Sequence, residues 1–121
     1  MEQSAWLTSV PVEHGVDLVD VSSGGLLPAS IEVAPGYQVP FARSVREGGV
    51  KTAAVGMLVG PRQADEILRR GDADVVLVAR AALREPYWPL RVAHKLGMKW
   101  REVGYPPAYT RGASDYAPAL D

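Results

Sequence analysis

A turn that could hold a negatively charged group follows an apolar stretch near the middle of the chain. Residues 54–61, AVGMLVGP, run from apolar side chains through Gly56 to a second glycine, Gly60, and then to Pro61, which opens an amphipathic segment. Glycine lets the backbone approach a ligand without a side chain in the way, and the N–H groups at a helix start attract anions. Ordinary turn chemistry explains the same residues. Two interpretations therefore stand at this point, a plain turn or an anion site.

Residues at the ends of two other apolar stretches give further candidates. Arg80 follows residues 73–79, ADVVLVA, where it could bind a ligand, be solvated, or pair with Asp65 or Glu85. Ser22 and Ser23 end the first apolar stretch, where they could form hydrogen bonds within the turn SSGG or line a binding pocket. The residues alone leave these alternatives open.

The other residue types that could do chemistry predict no metal site and no acid–base pair. Asp17 and Asp20 are three apart in a predicted strand, so they point to opposite faces of the sheet. His14 and His94 have no second ligand at a spacing that suits a metal. The chain has no cysteine, which excludes disulfides, zinc–thiolate sites and a cysteine nucleophile within it. The absence of cysteine also fits a reducing, cytoplasmic location.

The overall composition is that of one small globular domain. The chain has 121 residues, of which 47% are hydrophobic and 22% charged. Its net charge is −1, from 13 Lys and Arg against 14 Asp and Glu, and this balance predicts no nucleic-acid or membrane-surface partner. The basic segment RVAHKLGMKWR is interpreted as a solvated outer helix. No apolar run reaches the ~18 residues that cross a bilayer, and the first residues lack the pattern of a secretory signal.

Short apolar segments alternate with amphipathic ones, which predicts an α/β fold. The apolar segments are nearly continuous in hydrophobicity, as is typical of parallel strands covered on both faces. Helical spacing of apolar residues occurs between and around them. The predicted strands are 16–23, 52–58 and 73–80, and the predicted helices are 2–15, 36–49, 61–71 and 85–97. The order α-β-α-β-α-β-α favours a parallel sheet with right-handed crossovers.

Three parallel strands form a small open sheet and cannot close a barrel. A complete (β/α)8 barrel typically needs ~250 residues, and the first helical pattern is already under way at Glu2. We therefore expect the chain to be the C-terminal piece of something larger.

Four segments in this order resemble the end of an old yellow enzyme. They are HGVDLVDVSSGG, APGYQVPFARSVRE, TAAVGMLVGPRQADEIL and ADVVLVARAALREPYWPLRVAHKLG. This family comprises FMN-dependent NADH:flavin oxidoreductases and ene-reductases, and the chain is most similar to its bacterial, thermophilic-like branch. The resemblance covers roughly residues 2–112.

The resemblance implies that residues 1–104 form strands six to eight, with their helices, of a (β/α)8 TIM barrel. It places the FMN phosphate over Gly56 and Met57 and over Ala79 and Arg80, whose guanidinium can pair with phosphate oxygens in a fork. Many relatives have glycine where Ala79 stands, and alanine is small enough to leave the backbone accessible. In such barrels the loops after strands seven and eight commonly hold a phosphate.

The C-terminal segment, residues 105–121, resembles a tail that reaches a neighbouring subunit. Its AYTRGASDY stretch is similar to the Tyr-x-Arg-Gly ending of the branch, which implies that Arg111, with Tyr109 beside it, enters the active site of a neighbour. The segment GYPPAYTRG has few apolar residues, and Pro106 and Pro107 predict an extended arm. The family's substrate-binding His pair, flavin-tuning Cys or Thr and active-site Tyr have no counterpart here, so no catalytic residue is assigned in this chain apart from Arg111.

Two functions of different classes follow, with a weaker third. The first is part of an FMN-dependent oxidoreductase, in which NADH or NADPH reduces FMN and the flavin passes a hydride to an activated alkene. The second is a non-catalytic half-barrel that pairs with itself, as a homo-oligomer, or with a separate N-terminal fragment to cover its open sheet edges. The third is an unrelated (β/α)8 phosphate binder, against which the stretch from SSGG to PGYQVPFA argues.

Overall fold

The computed structural model describes residues 14–24 and 27–113 as an α/β unit. Within these residues a three-stranded sheet is combined with four α-helices and two 3-10 helices. The strands are β1 (Val19–Val21), β2 (Thr52–Ala54) and β3 (Val75–Val76). The α-helices are α1 (Val39–Arg46), α2 (Pro61–Arg69), α3 (Arg80–Arg84) and α4 (Trp88–Lys95). The 3-10 helices are Trp100–Glu102 and Pro107–Gly112.

The sheet is parallel, with β2 between β1 and β3. Val19 is in register with Thr52, and Ala53 with Val75. Because neighbouring strands are parallel, each connection must return to the starting edge, and α1 and α2 make these returns. The carboxyl ends of all three strands therefore lie along one edge of the sheet. The predicted α/β class and parallel order are confirmed.

Small side chains on the central strand let the helices pack closely. All three residues of β2 are buried, and Ala54 packs with Ala42 of α1 and Ile67 of α2. A second apolar cluster joins the last helix to the others, through Trp88 of α4, Ala64 and Ala81. The two clusters fix α2 and α4 relative to the strands, and so fix the loops between them.

The strands are shorter than predicted, because the hydrogen-bonded pairing between strands covers only part of each apolar segment. Val16 and Leu18 precede β1 and are exposed, and Gly56 turns the chain away after β2. Arg80 is the first residue of α3, where the sequence predicted the end of a strand. The first predicted helix, 2–15, lies outside the described residues except for its last two.

The predicted helix 85–97 begins three residues later, at Trp88, and a separate short helix, α3, precedes it. Proline disfavours helical backbone at the residue before it. Glu85, which precedes Pro86, is accordingly extended, with φ −144° and ψ 92°, and it ends α3. Pro86 thus separates two helices where the pattern predicted one.

The segment after Trp100 is more ordered than its composition predicted. Glu102 accepts a hydrogen bond from the Lys99 N–H at 2.7 Å and so begins the first 3-10 helix. Pro106 keeps the predicted extended backbone, with φ −57° and ψ 136°, but Pro107 starts the second 3-10 helix. Ala113, which follows this helix, is fully buried. The predicted extended backbone is therefore replaced by a short helix over Pro107–Gly112, none of whose residues is buried, and the inter-subunit role of this segment stays a prediction.

None of the helices in the described residues combines the length and the apolar character needed to cross a membrane.

Candidate functional site

A cavity of about 360 Å³ opens at the carboxyl ends of β2 and β3. Gly56 and Met57 line it from the turn after β2, and Ala79 and Arg80 line it from the start of α3. All four residues that the resemblance assigned to phosphate binding thus line one cavity. In parallel α/β folds, ligands bind outside the carboxyl ends of the strands, so the cavity has the position of a functional site.

The turn from Gly56 to Leu58 has an unusual backbone. Gly56 has φ +112° and Met57 has φ +53°, and Met57 is the one non-glycine residue with positive φ in the described part of the chain. The Gly56 carbonyl accepts a hydrogen bond from the Gly36 N–H at 2.8 Å. Among the described residues, the N–H groups of Met57 and Leu58 donate to no protein acceptor. Such free N–H groups can bind an anion.

Two side chains of the preceding loop explain why residue 56 is glycine. A Cβ atom at this position would lie 3.0 Å from Cε1 of Tyr37 and 3.2 Å from Cγ of Gln38. Its positive φ is also costly for residues other than glycine. Close packing and backbone conformation therefore both favour glycine, independently of any ligand.

Gln38 connects the end of β1 to this turn. Its side chain is buried, its Oε1 accepts a hydrogen bond from the Ser23 N–H, and its Nε2 donates to the Tyr37 hydroxyl at 3.0 Å. The side chains of Ser22 and Ser23 are exposed and neither residue lines the cavity. Ser23 thus contributes through its backbone, in a bond to Gln38, while Gly25 of the SSGG turn lies outside the described residues.

Two arginines supply the charge of the cavity. Arg80 and Arg84 both line it, and they are four residues apart on α3. The carboxylates predicted as alternative partners of Arg80 have other partners, because Asp65 pairs with Arg69 at 2.6 Å and Glu85 pairs with Arg91. The hydrogen bond from Arg91 lowers the pKa of the Glu85 carboxyl below its ordinary value.

The remaining predicted residues lie away from the cavity lining. Arg111 and Tyr109 are exposed in the second 3-10 helix. His14 is exposed and His94 is partly buried in α4. The described residues contain no group of three or more His, Cys, Asp or Glu side chains that could hold a metal.

The lining favours binding over acid–base chemistry. It includes two arginines, two residues whose backbone N–H groups have no protein acceptor, Met57 and Leu58, and several apolar residues, and it contains no Asp, Glu or His among the described residues. Guanidinium and N–H groups are the usual donors to phosphate. The cavity can therefore hold a phosphate, and an apolar group beside it.

Sequence reasoning missed three lining residues, Tyr37, Gln38 and Arg84. Arg84 had no signal, because the sequence predicted Arg80 at the end of a strand and no helix over residues 81–84, whereas the structure puts both arginines on α3. Tyr37 and Gln38 had none either, because their place depends on how the loop before α1 folds over the turn after β2.

Comparison with known proteins finds relatives that are named NADPH dehydrogenase, three bacterial ones among them. The protein of Geobacillus thermodenitrificans is 52% identical over 101 residues, which is 83% of this chain and 29% of the relative. That of a Geobacillus species is 57% identical over 86 residues, 70% of this chain and 25% of the relative. That of Bacillus licheniformis is 52% identical over 88 residues, 72% of this chain and 26% of the relative.

No family model matches the chain. The chain spans between 25% and 29% of the length of these three relatives. The similarity confirms the resemblance identified from the four sequence segments.

Proposed function

We propose a function on the premise that this chain belongs to the old yellow enzyme family of NADPH dehydrogenases. The chain is the C-terminal portion of a (β/α)8 barrel, with β1, β2 and β3 as strands six, seven and eight. Its function is to hold the phosphate of FMN in an NADPH-dependent oxidoreductase that reduces activated C=C bonds.

One observation carries this proposal. The turn after β2 and the start of α3 meet at a single cavity, with Gly56 and Met57 on one side and Ala79 and Arg80 on the other. These elements follow the proposed strands seven and eight, which is where (β/α)8 enzymes commonly bind phosphate. The free N–H groups of Met57 and Leu58 and the charge of Arg80 fit a phosphate.

The residues of this chain bind and orient the cofactor. FMN, when bound, supplies the hydride-transfer chemistry, with NADPH as the reductant. Arg80 and the turn at Gly56 hold one end of the cofactor. Since the cavity lining has no Asp, Glu or His among the described residues, substrate binding and any proton transfer depend on other parts of the enzyme.

Arg111 is proposed to act in a neighbouring subunit. Its guanidinium is exposed on the 3-10 helix Pro107–Gly112 and lies outside the lining of the cavity. An arginine in this position is free to reach across an interface and bind a substrate or flavin held by the partner. The short helix replaces the predicted extended arm as the element that carries it.

The phosphate role of Arg80 is tested by titrating FMN into the full chain, in the oligomer it forms, and following flavin fluorescence. Arg80→Ala should weaken FMN binding by about 10- to 150-fold, because a charge-assisted hydrogen bond contributes roughly 1.5–3 kcal/mol. Lys95→Ala is the matched control, since Lys95 is an exposed cation at the far end of α4. Equal dissociation constants for wild type and Arg80→Ala would overturn the proposal.

A second candidate is a non-catalytic half-barrel that requires a partner. In the described residues β1 and β3 each pair with β2 on one side only. Leu18, directly before β1, and Val75 of β3 are 40% and 41% exposed. Open edges and exposed apolar residues favour association, either with a second copy or with a separate N-terminal portion of the barrel. This candidate predicts an oligomer without flavin.

Sedimentation at several dilutions distinguishes the candidates when absorbance is recorded at a flavin wavelength. A flavin-containing species supports the oxidoreductase, and a colourless oligomer that does not take up added FMN supports the half-barrel. A monomer that melts cooperatively, at a temperature independent of concentration, would contradict the need for a partner.

A further inference from the structure

Gln38 is the one buried polar side chain beside the cavity in the part of the chain that the structure describes. It is 5% exposed, and the other two buried polar residues lie at the opposite end of the sheet, where Thr52 begins β2 and Asp72 precedes β3. Burial of an amide is costly unless its donor and acceptor atoms are used. A buried glutamine at the carboxyl ends therefore needs an explanation, and the proposed phosphate site so far gives it no role.

The amide of Gln38 joins two segments that are distant in sequence. Its Oε1 accepts a hydrogen bond from the Ser23 N–H, after β1, and its Nε2 donates to the Tyr37 hydroxyl at 3.0 Å. Because a backbone N–H can only donate, the bond from Ser23 fixes which end of the amide is oxygen, and the amide nitrogen is the end that meets Tyr37. Gln38 thus holds the Tyr37 side chain and the segment after β1 in one arrangement.

The loop that Gln38 braces lies directly against Gly56. A Cβ atom at Gly56 would be 3.0 Å from Cε1 of Tyr37 and 3.2 Å from Cγ of Gln38, so no free space separates the loop from the turn. The Gly36 N–H of the same loop donates to the Gly56 carbonyl at 2.8 Å. The near end of the turn after β2 is therefore fixed by the loop before α1.

The far end of this turn is held separately. The Val59 N–H donates to Oε1 of Gln63 at 3.3 Å, and the Val59 carbonyl accepts a hydrogen bond from Nε1 of Trp88 at 3.3 Å. Between the two held ends, the N–H groups of Met57 and Leu58 donate to no protein acceptor among the described residues. These free N–H groups thus belong to a short segment held on both sides, and their position depends on where each end is held.

We infer that Gln38 is a positioning residue, which holds the near end of the turn, through Tyr37 and Gly56, so that the N–H groups of Met57 and Leu58 stay free and ordered for an anionic ligand. This inference rests on the proposed function and deepens it, because it names what keeps the binding turn in place before the ligand arrives. Donors that are already ordered bind more tightly, since no free energy is lost in ordering them on binding.

Titrations of the full chain, in the oligomer it forms, with FMN and with riboflavin test this inference, because riboflavin lacks the phosphate. Gln38→Met removes both hydrogen bonds and has a similar side-chain volume. It should weaken FMN binding by about three- to tenfold and leave riboflavin affinity within about twofold of wild type. A side chain that only filled space or stabilised the fold would change both affinities by the same factor. Lys95→Ala, at an exposed cation of α4, should bind both ligands as wild type does.

A double-mutant cycle with Gly56→Ala gives a second readout. If Gln38 acts through the turn, adding Gln38→Met to Gly56→Ala should weaken FMN binding by less than about twofold, because the turn is already displaced. Independent roles would make the two factors multiply. Tyr37→Phe removes the hydroxyl that Gln38 contacts and keeps the ring beside Gly56. It should weaken FMN binding by about twofold, less than Gln38→Met does, because the bond from Ser23 remains.

The role of Gln38 and the phosphate site fail in different ways. If Arg80→Ala weakens FMN binding while Gln38→Met leaves it unchanged, weakens both ligands equally or multiplies with Gly56→Ala, the role of Gln38 is wrong and the phosphate site stands. If Gln38→Met does not fold, Tyr37→Phe decides, because an unchanged FMN affinity in that variant overturns the role. If wild type binds FMN no more tightly than riboflavin, or binds neither, the phosphate site is wrong and the inference about Gln38 is overturned with it.

Discussion

At the amino-terminal ends of β2 and β3 the arginines are paired with carboxylates, whereas at the carboxyl ends Arg80 and Arg84 are not. Arg46 donates to both carboxylate oxygens of Asp74, at 3.0 and 3.1 Å, and to the carbonyl of Gly71 at 3.1 Å. The same carboxylate accepts a hydrogen bond from the Thr52 N–H at 3.0 Å. Asp74, which directly precedes β3, thus links α1 to the start of β2.

Asp72 strengthens the contrast between the two ends. Its carboxylate is 5% exposed and pairs with Arg70 at 3.1 Å and with Arg43 at 3.7 Å. The acids at this end are therefore paired within the chain, with arginines of α1 and with Arg70, which directly follows α2. The carboxyl ends have instead a turn with two positive φ values, at Gly56 and Met57, and cations without carboxylates.

This difference suggests that the amino-terminal ends of the strands stabilise the fold and that the carboxyl ends are the ones available to a ligand. Charges that are paired inside the chain contribute to folding, and they are not available to a ligand. The unpaired cations and the positive φ of Met57 gain no such pairing inside the chain, and backbone conformations of this kind cluster at functional sites in native proteins. In α/β barrels the amino-terminal face is the stabilising one and the carboxyl face is the functional one.

Removal of Asp74 should have the largest effect on stability. Asp74→Ala takes away the partner of Arg46 and the acceptor of the Thr52 N–H, and we expect it to lower the free energy of unfolding by about 1–3 kcal/mol. Urea unfolding of the chain in its native assembly, followed by circular dichroism, measures this loss. Asp17→Ala is the control, because Asp17 is an exposed aspartate outside β1. If both variants unfold at the same urea concentration, the amino-terminal end is not the stabilising one.

Acid should destabilise the chain through the same carboxylate. Hydrogen bonds from Arg46 and from the Thr52 N–H lower the pKa of Asp74 below its ordinary value, so its contribution is complete above the unfolded pKa of about 3.9 and is lost as the pH falls through the folded value. Glu85, whose pKa is lowered by Arg91, acts in the same direction. The free energy of unfolding should be nearly constant between about pH 7 and 5 and should fall steeply below about pH 4.

Asp74→Asn provides the control for the acid prediction. It retains acceptor and donor atoms of similar size but no longer titrates, so its stability should be lower at pH 7 and should fall less steeply in acid. An unchanged slope in this variant would mean that other carboxyl groups cause the acid sensitivity.

The sequence predicted the elements better than it predicted the contacts between them. Hydrophobic runs located all three strands, and glycine chemistry with the family resemblance brought Gly56 and Arg80 to one end of the sheet, where the structure has them lining one cavity. The lengths of the strands were overestimated, because an apolar run also covers buried turn residues such as Leu58, which is 3% exposed.

The residues that the sequence missed depend on long-range packing. Gln38 accepts a hydrogen bond from Ser23, fifteen positions away. The residues around Gln38, in the loop before α1, contain no signal for that bond. The Arg46–Asp74 pair spans 28 positions. Its two residues are of types usually found at the surface, and they lie in separate segments. Periodicity reports which face of an element is apolar, and it carries no information on which polar groups meet.

Gly56→Ala should have a moderate effect on stability and a larger one on binding. Its Cβ would lie 3.0 Å from the Tyr37 ring at a φ of +112°, which should cost about 1 kcal/mol or more of stability. Movement of Tyr37 or of the turn would also displace the N–H groups proposed to bind phosphate, so FMN affinity should fall by about tenfold or more. Gly49→Ala is the matched control, because Gly49 also has positive φ but no atom within 4 Å of the added Cβ. A Gly56→Ala variant that loses stability and keeps its FMN affinity would mean that the turn at Gly56 does not bind the phosphate.

The smallest effect is expected at Thr52, the exception to full pairing at the amino-terminal end. Its side chain is completely buried, and Oγ1 has no hydrogen-bond partner among the described residues. Thr52→Val replaces this hydroxyl with a methyl group of similar size and keeps the N–H that donates to Asp74. Because an unsatisfied buried hydroxyl is destabilising, the variant should raise the free energy of unfolding by about 0.5–1 kcal/mol. FMN affinity should not change, since Thr52 begins β2 and lies outside the cavity lining. A loss of stability in Thr52→Val, measured in the same urea experiment as Asp74→Ala, would mean that the hydroxyl is hydrogen-bonded after all, and that the amino-terminal end has no unpaired group of this kind.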